Sequence, residues 1–319
     1  MELTKAYLNK SIPIIDSLWD RDDLCSVAIS QEPDNILGNN IAVLKADRSI
    51  ISLSWFIESV YDYNMANESI SYAQVFNHVR RGLSNLGFDN NDSSYMDVTL
   101  EISRLCFSYI CNTSGRNRSR VTKSIKLDLL ENCNNDPRCW ICGHKFCNEA
   151  INKFLGKPHN IQLPNSVDMY FPSGLTERDY VIEVEHKKPF SSGGADVDDL
   201  SNIALSCGFC NRHKWKFISL YDVNRSLRGY VHPRLGVVSI PQPYWSIRLL
   251  ALSERCSEPG CTAKKSSTRL YIDKVNPIGS MTPTNMKVVC KRHRSNSGDR
   301  VVPSSDYKSR LKYTRSSII

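Results

Sequence analysis

Between residues 139 and 216 the chain sets two cysteine pairs around a Glu-His dipeptide and two asparagines. The first pair is Cys139-Trp140-Ile141-Cys142; the second is Cys207-Gly208-Phe209-Cys210, followed at once by Asn211. Two C-x-x-C pairs can supply four thiolates to one tetrahedral zinc, because a two-residue gap lets both sulfurs of a pair reach the same ion. Such an ion holds together a segment too small and polar to bury a core of its own. The competing reading is four unrelated cysteines, some joined as disulfides. No secretory signal peptide is read in the chain, which favours reduced thiols in a cytoplasmic protein. Between the pairs stand Val184-Glu185-His186-Lys187-Lys188-Pro189 and Asn202-Ile203-Ala204-Leu205-Ser206. Each piece alone is weak; their order and spacing together are specific.

These residues need a scaffold. Residues 180–184 read as a short strand that delivers Glu185 and His186 at its end. Ser191-Ser192-Gly193-Gly194 signals a chain reversal, residues 202–206 read as the returning strand, and a helix starts at Asn211. This strand–strand–helix order, with its cysteine pairs, resembles the ββα-metal fold of the HNH endonucleases, in the subgroup braced by a four-cysteine zinc. The resemblance covers roughly a quarter of the 319 residues.

The resemblance implies roles for four residues. His186 matches the general base that takes a proton from the attacking water, a task suited to a side chain whose ordinary pKa lies near working pH. Glu185 matches the acidic ligand and Asn211 the amide ligand of one hydrated Mg2+ or Mn2+ at the scissile phosphate. Asn202 matches the asparagine that braces the hairpin and so aims the histidine. The family more often carries Asp-His than Glu-His, so Asp198 and Asp199 in the same loop stand as alternative ligands. The implied products carry a 3′-hydroxyl and a 5′-phosphate.

Residues 256–296 look like a worn copy of the same unit. Cys256, Cys261, Cys290 and His293 make a second tetrahedral set, of Cys3His type. Ile272-Asp273-Lys274-Val275-Asn276-Pro277 parallels residues 184–189, and Asn285 precedes Cys290 by five residues, as Asn202 precedes Cys207. Lys274 replaces His186 and Arg294 replaces Asn211. A lysine of ordinary pKa is protonated at neutral pH, and an arginine repels a cation, so the copy is expected to be non-catalytic. Lys291, Arg292, Arg294 and Arg300 suit phosphate contact instead. An independent zinc ribbon is the alternative.

The charge is divided along the chain. Residues 1–115 hold 8 Lys+Arg against 15 Asp+Glu, a net of −7, and residues 116–319 hold 33 against 18, a net of +15. Basic clusters flank the first unit: Arg116, Arg118, Arg120, Lys123 and Lys126 before it, and Arg212, Lys214 and Lys216 on the helix bearing Asn211. Lys308, Arg310, Lys312 and Arg315 sit in a Ser-rich tail expected to be mobile.

The acidic region reads as helical. Val75, Val79, Leu83 and Leu86 form one stripe ending at Gly87, a C-terminal cap. Val98, Ile102, Leu105 and Tyr109 form another, opened by Ser94 and Asp97. Residues 50–60, with Trp55 and Phe56, are strongly apolar but too short to span a bilayer. Cys25, Cys106 and Cys111 suit buried thiols, while Cys133 and Cys147 rank below the named zinc ligands.

The expected architecture is α+β: an N-terminal all-α domain, a zinc-braced ββα-metal (HNH) domain and a second small zinc-bound, treble-clef-like unit. The expected divisions are an acidic helical interaction domain (1–115), the nuclease domain with its basic lead-in (116–216), a connector without a long helix (217–250), the second zinc unit (251–300) and a basic tail (301–319). The expected function is Mg2+- or Mn2+-dependent cleavage of DNA, in defence against foreign or phage DNA, with a protein partner or self-association acting through the acidic domain. The alternatives are a zinc-dependent nucleic-acid-binding protein without catalysis, a mobile-element (homing-type) endonuclease, or an RNA-directed enzyme.

Overall fold

The structure is a computed structural model and describes residues 1–14, 19–28, 30, 32–66, 69–113, 118–171, 174–224, 230–232, 236–238, 242–295 and 300–305. Arg116, Pro172, Pro233, Pro241 and the tail cations from Lys308 to Arg315 lie outside these residues.

Five helices come first: α1 (Glu2–Ile14), α2 (Arg21–Ala28), α3 (Ile41–Val60), α4 (Tyr72–Asn85) and α5 (Tyr95–Thr113). Helix α4 starts with a Ser71–Gln74 capping box and buries Val75, Val79 and Leu83 completely. It ends as expected at Gly87 (φ +86°), where the Gly87 and Phe88 amides donate to the carbonyls of Ser84 and Leu83. Leu86 is exposed, because it belongs to this cap and not to the stripe. In α5 the expected stripe is rotated. Tyr95, Thr99, Ile102, Cys106 and Ile110 face inward, while Val98 and Leu105 are exposed. Thr99 and Ser103 make this possible by returning their hydroxyls to carbonyls one turn earlier, so polar residues line a buried face at no cost in unmet bonds. The Ser94 hydroxyl turns to Asp92.

The remainder is α6 (Lys123–Glu131), α7 (Asn148–Phe154), β1 (Ser166–Asp168), β2 (Ile182–His186), β3 (Ile203–Cys207), α8 (Gly208–Lys214), β4 (Tyr230–His232), β5 (Gly236–Val238), α9 (Pro243–Leu252), β6 (Leu270–Lys274), β7 (Met286–Cys290) and β8 (Val301–Pro303). The described strands form four two-stranded antiparallel ribbons: β1–β8, β2–β3, β4–β5 and β6–β7. Such ribbons are marginal alone and need a shared core or a metal.

That core is common to both cysteine-rich units. Ile182, Ile203 and Leu205 of the first unit and Leu270, Met286 and Val289 of the second join one cluster. Between them lies α9, which buries Tyr244, Trp245, Ile247, Leu249 and Leu250. The connector thus holds a central helix where none of length was expected. Pro243 stands in its first turn, where a missing N–H costs nothing.

The helical region of residues 1–115 divides between two cores. The end of α3 packs with α4 and α5, while Leu37 and Leu44 join the metal-unit cluster. Buried Asp47 accepts from the Leu220 amide (2.7 Å) and the Arg248 guanidinium (2.7 Å). Residues 301–303, expected in the mobile tail, pair with β1 through Val167↔Val302. No helix among the described residues is long and apolar enough to cross a membrane.

Candidate active site

The first four cysteines converge as their spacing requires. One Sγ from each of Cys139, Cys142, Cys207 and Cys210 lies within 4.8 Å of the others, and all four residues are buried. Backbone bonds set the geometry: the Cys139 amide donates to the His144 carbonyl and the Trp140 amide to the Leu205 carbonyl, both at 2.9 Å. Burial opposes ionisation of Cys139, but the three neighbouring thiols outweigh it and hold its pKa well below the ordinary value. Arg269 is half-buried beside this cluster, with its Nε shut off from solvent. Burial alone would lower its pKa, but negative charge on Cys142, Tyr271 and Cys207 raises it, so a fixed positive charge faces the thiolates. Cys133 donates to the Leu129 carbonyl and Cys147 is exposed; neither joins the cluster.

Cys256, Cys261, Cys290 and His293 form the second cluster by the same measure. It repeats both of those backbone bonds. The Cys256 amide donates to Ala263 (3.0 Å) and the Ser257 amide to Val288 (2.8 Å). The ribbons share a register: Ile182↔Cys207 and His186↔Ile203 in one, Leu270↔Cys290 and Lys274↔Met286 in the other. The units touch directly, since the Leu270 amide donates to the Cys142 carbonyl at 3.0 Å. Gly143 (φ +71°) permits this approach; a Cβ there would lie 2.6 Å from the Thr268 carbonyl oxygen.

Strand β2, β3 and α8 form a ββα unit in which both Glu185 and His186 lie within β2, at its C-terminal end. Alternation along the strand divides their neighbours. Glu183 and Glu185 meet α8. Asn211 Nδ2 donates to Glu183 Oε2 at 2.6 Å, and Lys214 Nζ lies 2.7 Å from Glu185 Oε1 and 2.8 Å from the His186 carbonyl oxygen. Burial raises the Glu185 pKa, against the opposing pull of Lys214.

His186 meets other partners. It is 3% exposed, with Phe190 edge-on to its ring at 6.0 Å. Nδ1 lies 3.3 Å from Arg118 Nη2. Nε2 is buried without a hydrogen bond, 3.7 Å from Asp196 Oδ1. Burial, then the Arg118 charge, lowers its pKa below the ordinary histidine value, so the ring is neutral at neutral pH.

Asn202 ties the loop between the strands to itself. Its Oδ1 accepts from the Lys188 amide (2.9 Å), and Nδ2 donates to the carbonyls of Lys188 (3.2 Å) and Ala195 (2.7 Å). Ala195 precedes Asp196, so this bond holds the backbone leading to the residue beside His186, whose carboxylate accepts from the Val197 amide at 2.8 Å. Asp198 and Asp199, the alternative ligands, are exposed, and Asp199 accepts from the Ser201 amide within its own turn.

Several cations expected at a nucleic-acid surface are engaged inside the protein. Lys214 is buried against Glu185, Arg212 pairs with buried Asp179, and Arg300 bonds Asp168 while lying over the Phe209 ring. Arg294 stacks on Tyr271, and Lys126 bonds the Phe154 carbonyl. Arg120, Lys123, Lys216, Lys291 and Arg292 remain exposed. In the second unit, Asp273 at the Glu185 position is buried and accepts from the Ser295 amide and hydroxyl.

Sequence reasoning missed Glu183, Asp196 and the pairing of Lys214. Strand alternation from Glu185 gives Glu183 its face; spacing carries no signal for the other two.

Residues 174–217 match the family model for the HNH endonuclease. This segment, which spans β2, β3 and α8, is an HNH domain, set beside one metal-capable four-cysteine cluster and followed by a second of Cys3His type. No curated protein and no solved structure matches the chain.

Proposed function

We propose that the protein is a metal-dependent endonuclease that hydrolyses DNA phosphodiester bonds. The observation that carries this reading is the division of β2: a neutral, buried imidazole on one face and a carboxylate next to an α8 amide on the other. His186 acts as the general base through one ring nitrogen. Asn202 holds the loop that aligns it, through Lys188 and Ala195.

Glu185 and Asn211 offer oxygen donors of the kind that suit a hard divalent cation. The Asn211 bond to Glu183 uses the amide nitrogen, leaving Oδ1 as the donor atom, and the bond places Glu183 as a second acid at this point. Mg2+ or Mn2+ held there would offset charge on the phosphate and the leaving oxygen. Both cysteine-rich clusters suit zinc, with sulfur and imidazole donors in sets of four. The second unit keeps the scaffold without a base and presents Lys291 and Arg292 to phosphates.

An acidic helical layer joined to a basic nuclease suits control by a protein partner or by self-association, and hence restriction of foreign or phage DNA in the cytoplasm; this step is analogy. The alternative is DNA binding without cleavage. Supercoiled plasmid incubated with Mg2+ or Mn2+ tests the choice. Nicking that disappears in His186→Ala and with a chelator supports hydrolysis. DNA retardation by both proteins without nicking by either sinks it.

A further inference from the structure

Arg118 stands at the base, outside the segment matched by the family model. Arginine donates only, so its 3.3 Å contact requires an unprotonated His186 Nδ1. The ring proton of the neutral imidazole then lies on Nε2, the nitrogen facing Asp196 at 3.7 Å. Nδ1 is therefore the basic atom, and the Arg118 guanidinium covers it.

The backbone at this point is anchored by a carboxylate, whereas the side chain is not. The Ser119 amide donates to Asp196 Oδ2 at 2.8 Å, so the carboxylate facing His186 also anchors the lead-in segment. Arg118 itself is exposed. Among the described residues no carboxylate lies within ion-pair distance of it, whereas Arg138, Arg178, Arg212, Arg248 and Arg300 each pair with an acid. Its charge does reach Glu185, whose carboxylate bonds Lys214. The guanidinium thus touches the base, and its charge is felt by the proposed cation-binding acid as well.

We propose that Arg118 binds the scissile phosphate of the substrate and, in doing so, uncovers Nδ1 of His186. A guanidinium prefers an anionic phosphate oxygen to a neutral ring nitrogen, because phosphate adds a full opposite charge and can accept two of its parallel N–H groups at once. A phosphate entering beside His186 draws the guanidinium onto a non-bridging oxygen. The vacated Nδ1 is then free to accept the proton of the attacking water. The base is capped without substrate and open with it. This assignment rests on the nuclease reading for its catalytic part; its phosphate-binding part is independent of cleavage.

The test uses the full chain. Plasmid cleavage is compared for wild type, Arg118→Ala, Arg118→Lys and Arg104→Ala, which removes the same charge from an exposed position on α5. In parallel, duplex binding is measured over a range of salt for His186→Ala alone and with Arg118→Ala added. Arg118→Ala is expected to lower kcat by about 100-fold, the size of effect seen when a single charge-stabilising donor is removed. Lys should restore part of the rate, and Arg104→Ala should stay within about twofold of wild type. Adding Arg118→Ala to His186→Ala should weaken binding and reduce the salt slope by about one. Cleavage by Arg118→Ala at or above the wild-type rate overturns the proposal, and a faster rate would make Arg118 a cap alone. If wild type cuts nothing, the nuclease reading fails by itself, and an unchanged salt slope in the binding arm then overturns the phosphate assignment too.

Discussion

Asn202 and Asn285 make the same bonds in two different hairpins. Each Oδ1 accepts from the amide two residues beyond its ribbon's first strand: Lys188 at 2.9 Å for Asn202, Asn276 at 2.7 Å for Asn285. Each Nδ2 donates back across the loop to two carbonyls, Lys188 and Ala195 in one, Asn276 and Ser280 in the other. The brace therefore belongs to the scaffold, and only in the first unit does it stand behind a histidine.

The two asparagines should separate stability from activity. Asn285→Ala is expected to cost about 1–3 kcal/mol of stability by stranding loop amides, with cleavage by the folded protein unchanged. Asn202→Ala should cost a similar amount and also lower kcat by about 100-fold, since misplacing a base by an ångström has that effect. Urea unfolding and plasmid cleavage at a temperature where both variants are folded check this. Equal activity in the two variants would contradict it.

Lys214 and Glu185 form an ion pair in which both side chains are only 8% exposed. Lys214→Met leaves the Glu185 carboxylate buried and unpaired, with an expected loss of about 3–5 kcal/mol. Adding Glu185→Gln should recover part of that loss, because the stranded charge is gone. A double variant no more stable than Lys214→Met would place the energy in packing instead. Denaturant midpoints decide the point.

Elemental analysis of the purified chain should find two zinc ions per molecule. Replacing Cys142 with Ala should remove one of them, and replacing Cys261 the other. Arg269→Met should make the first zinc easier to extract, since a tetrathiolate site loses the positive charge beside it. Zinc release to a chelating dye, followed over time, provides the measurement. Indistinguishable release from Arg269→Met and wild type would exclude this role.

Asp179 is buried, which tends to raise its pKa, but the Thr176 amide and the Arg300 and Arg212 charges outweigh burial and lower it. A carboxylate with a depressed folded pKa stabilises above its unfolded value of about 3.9, and that contribution fades as pH falls through the folded value. Asp179→Asn should thus destabilise at pH 7 by about 3 kcal/mol. The gap from wild type should narrow below pH 4. Thermal midpoints of both proteins from pH 7 to pH 3 test it, and a constant gap would remove Asp179 from the acid response.

Much of the metal scaffold was legible because metal ligation is a local requirement. A two-residue gap between cysteines brings two sulfurs to one ion whatever the rest of the chain does, and a looser version, with four residues between Cys256 and Cys261 and two between Cys290 and His293, exposed the second set. The turn at residues 191–194 and the alternation of the flanking strands gave the hairpin. The α5 stripe was misread because buried Thr99 and Ser103 satisfy themselves within the helix, so the inward face does not look apolar.

By itself the sequence determined the two Cys/His sets, the strand–strand–helix order and the lysine that stands at the His186 position in the second unit. Only the tertiary structure decided that both units share one core with α9, that Glu183 joins Asn211, and that Lys214 and Arg212 turn inward. It alone brought Arg118 and Asp196 to the two nitrogens of His186. Arg118 lies 68 positions from that ring, and a contact of this kind depends on where several loops pass in space. No periodicity records it, because side chains so far apart in sequence meet only after the intervening chain has packed.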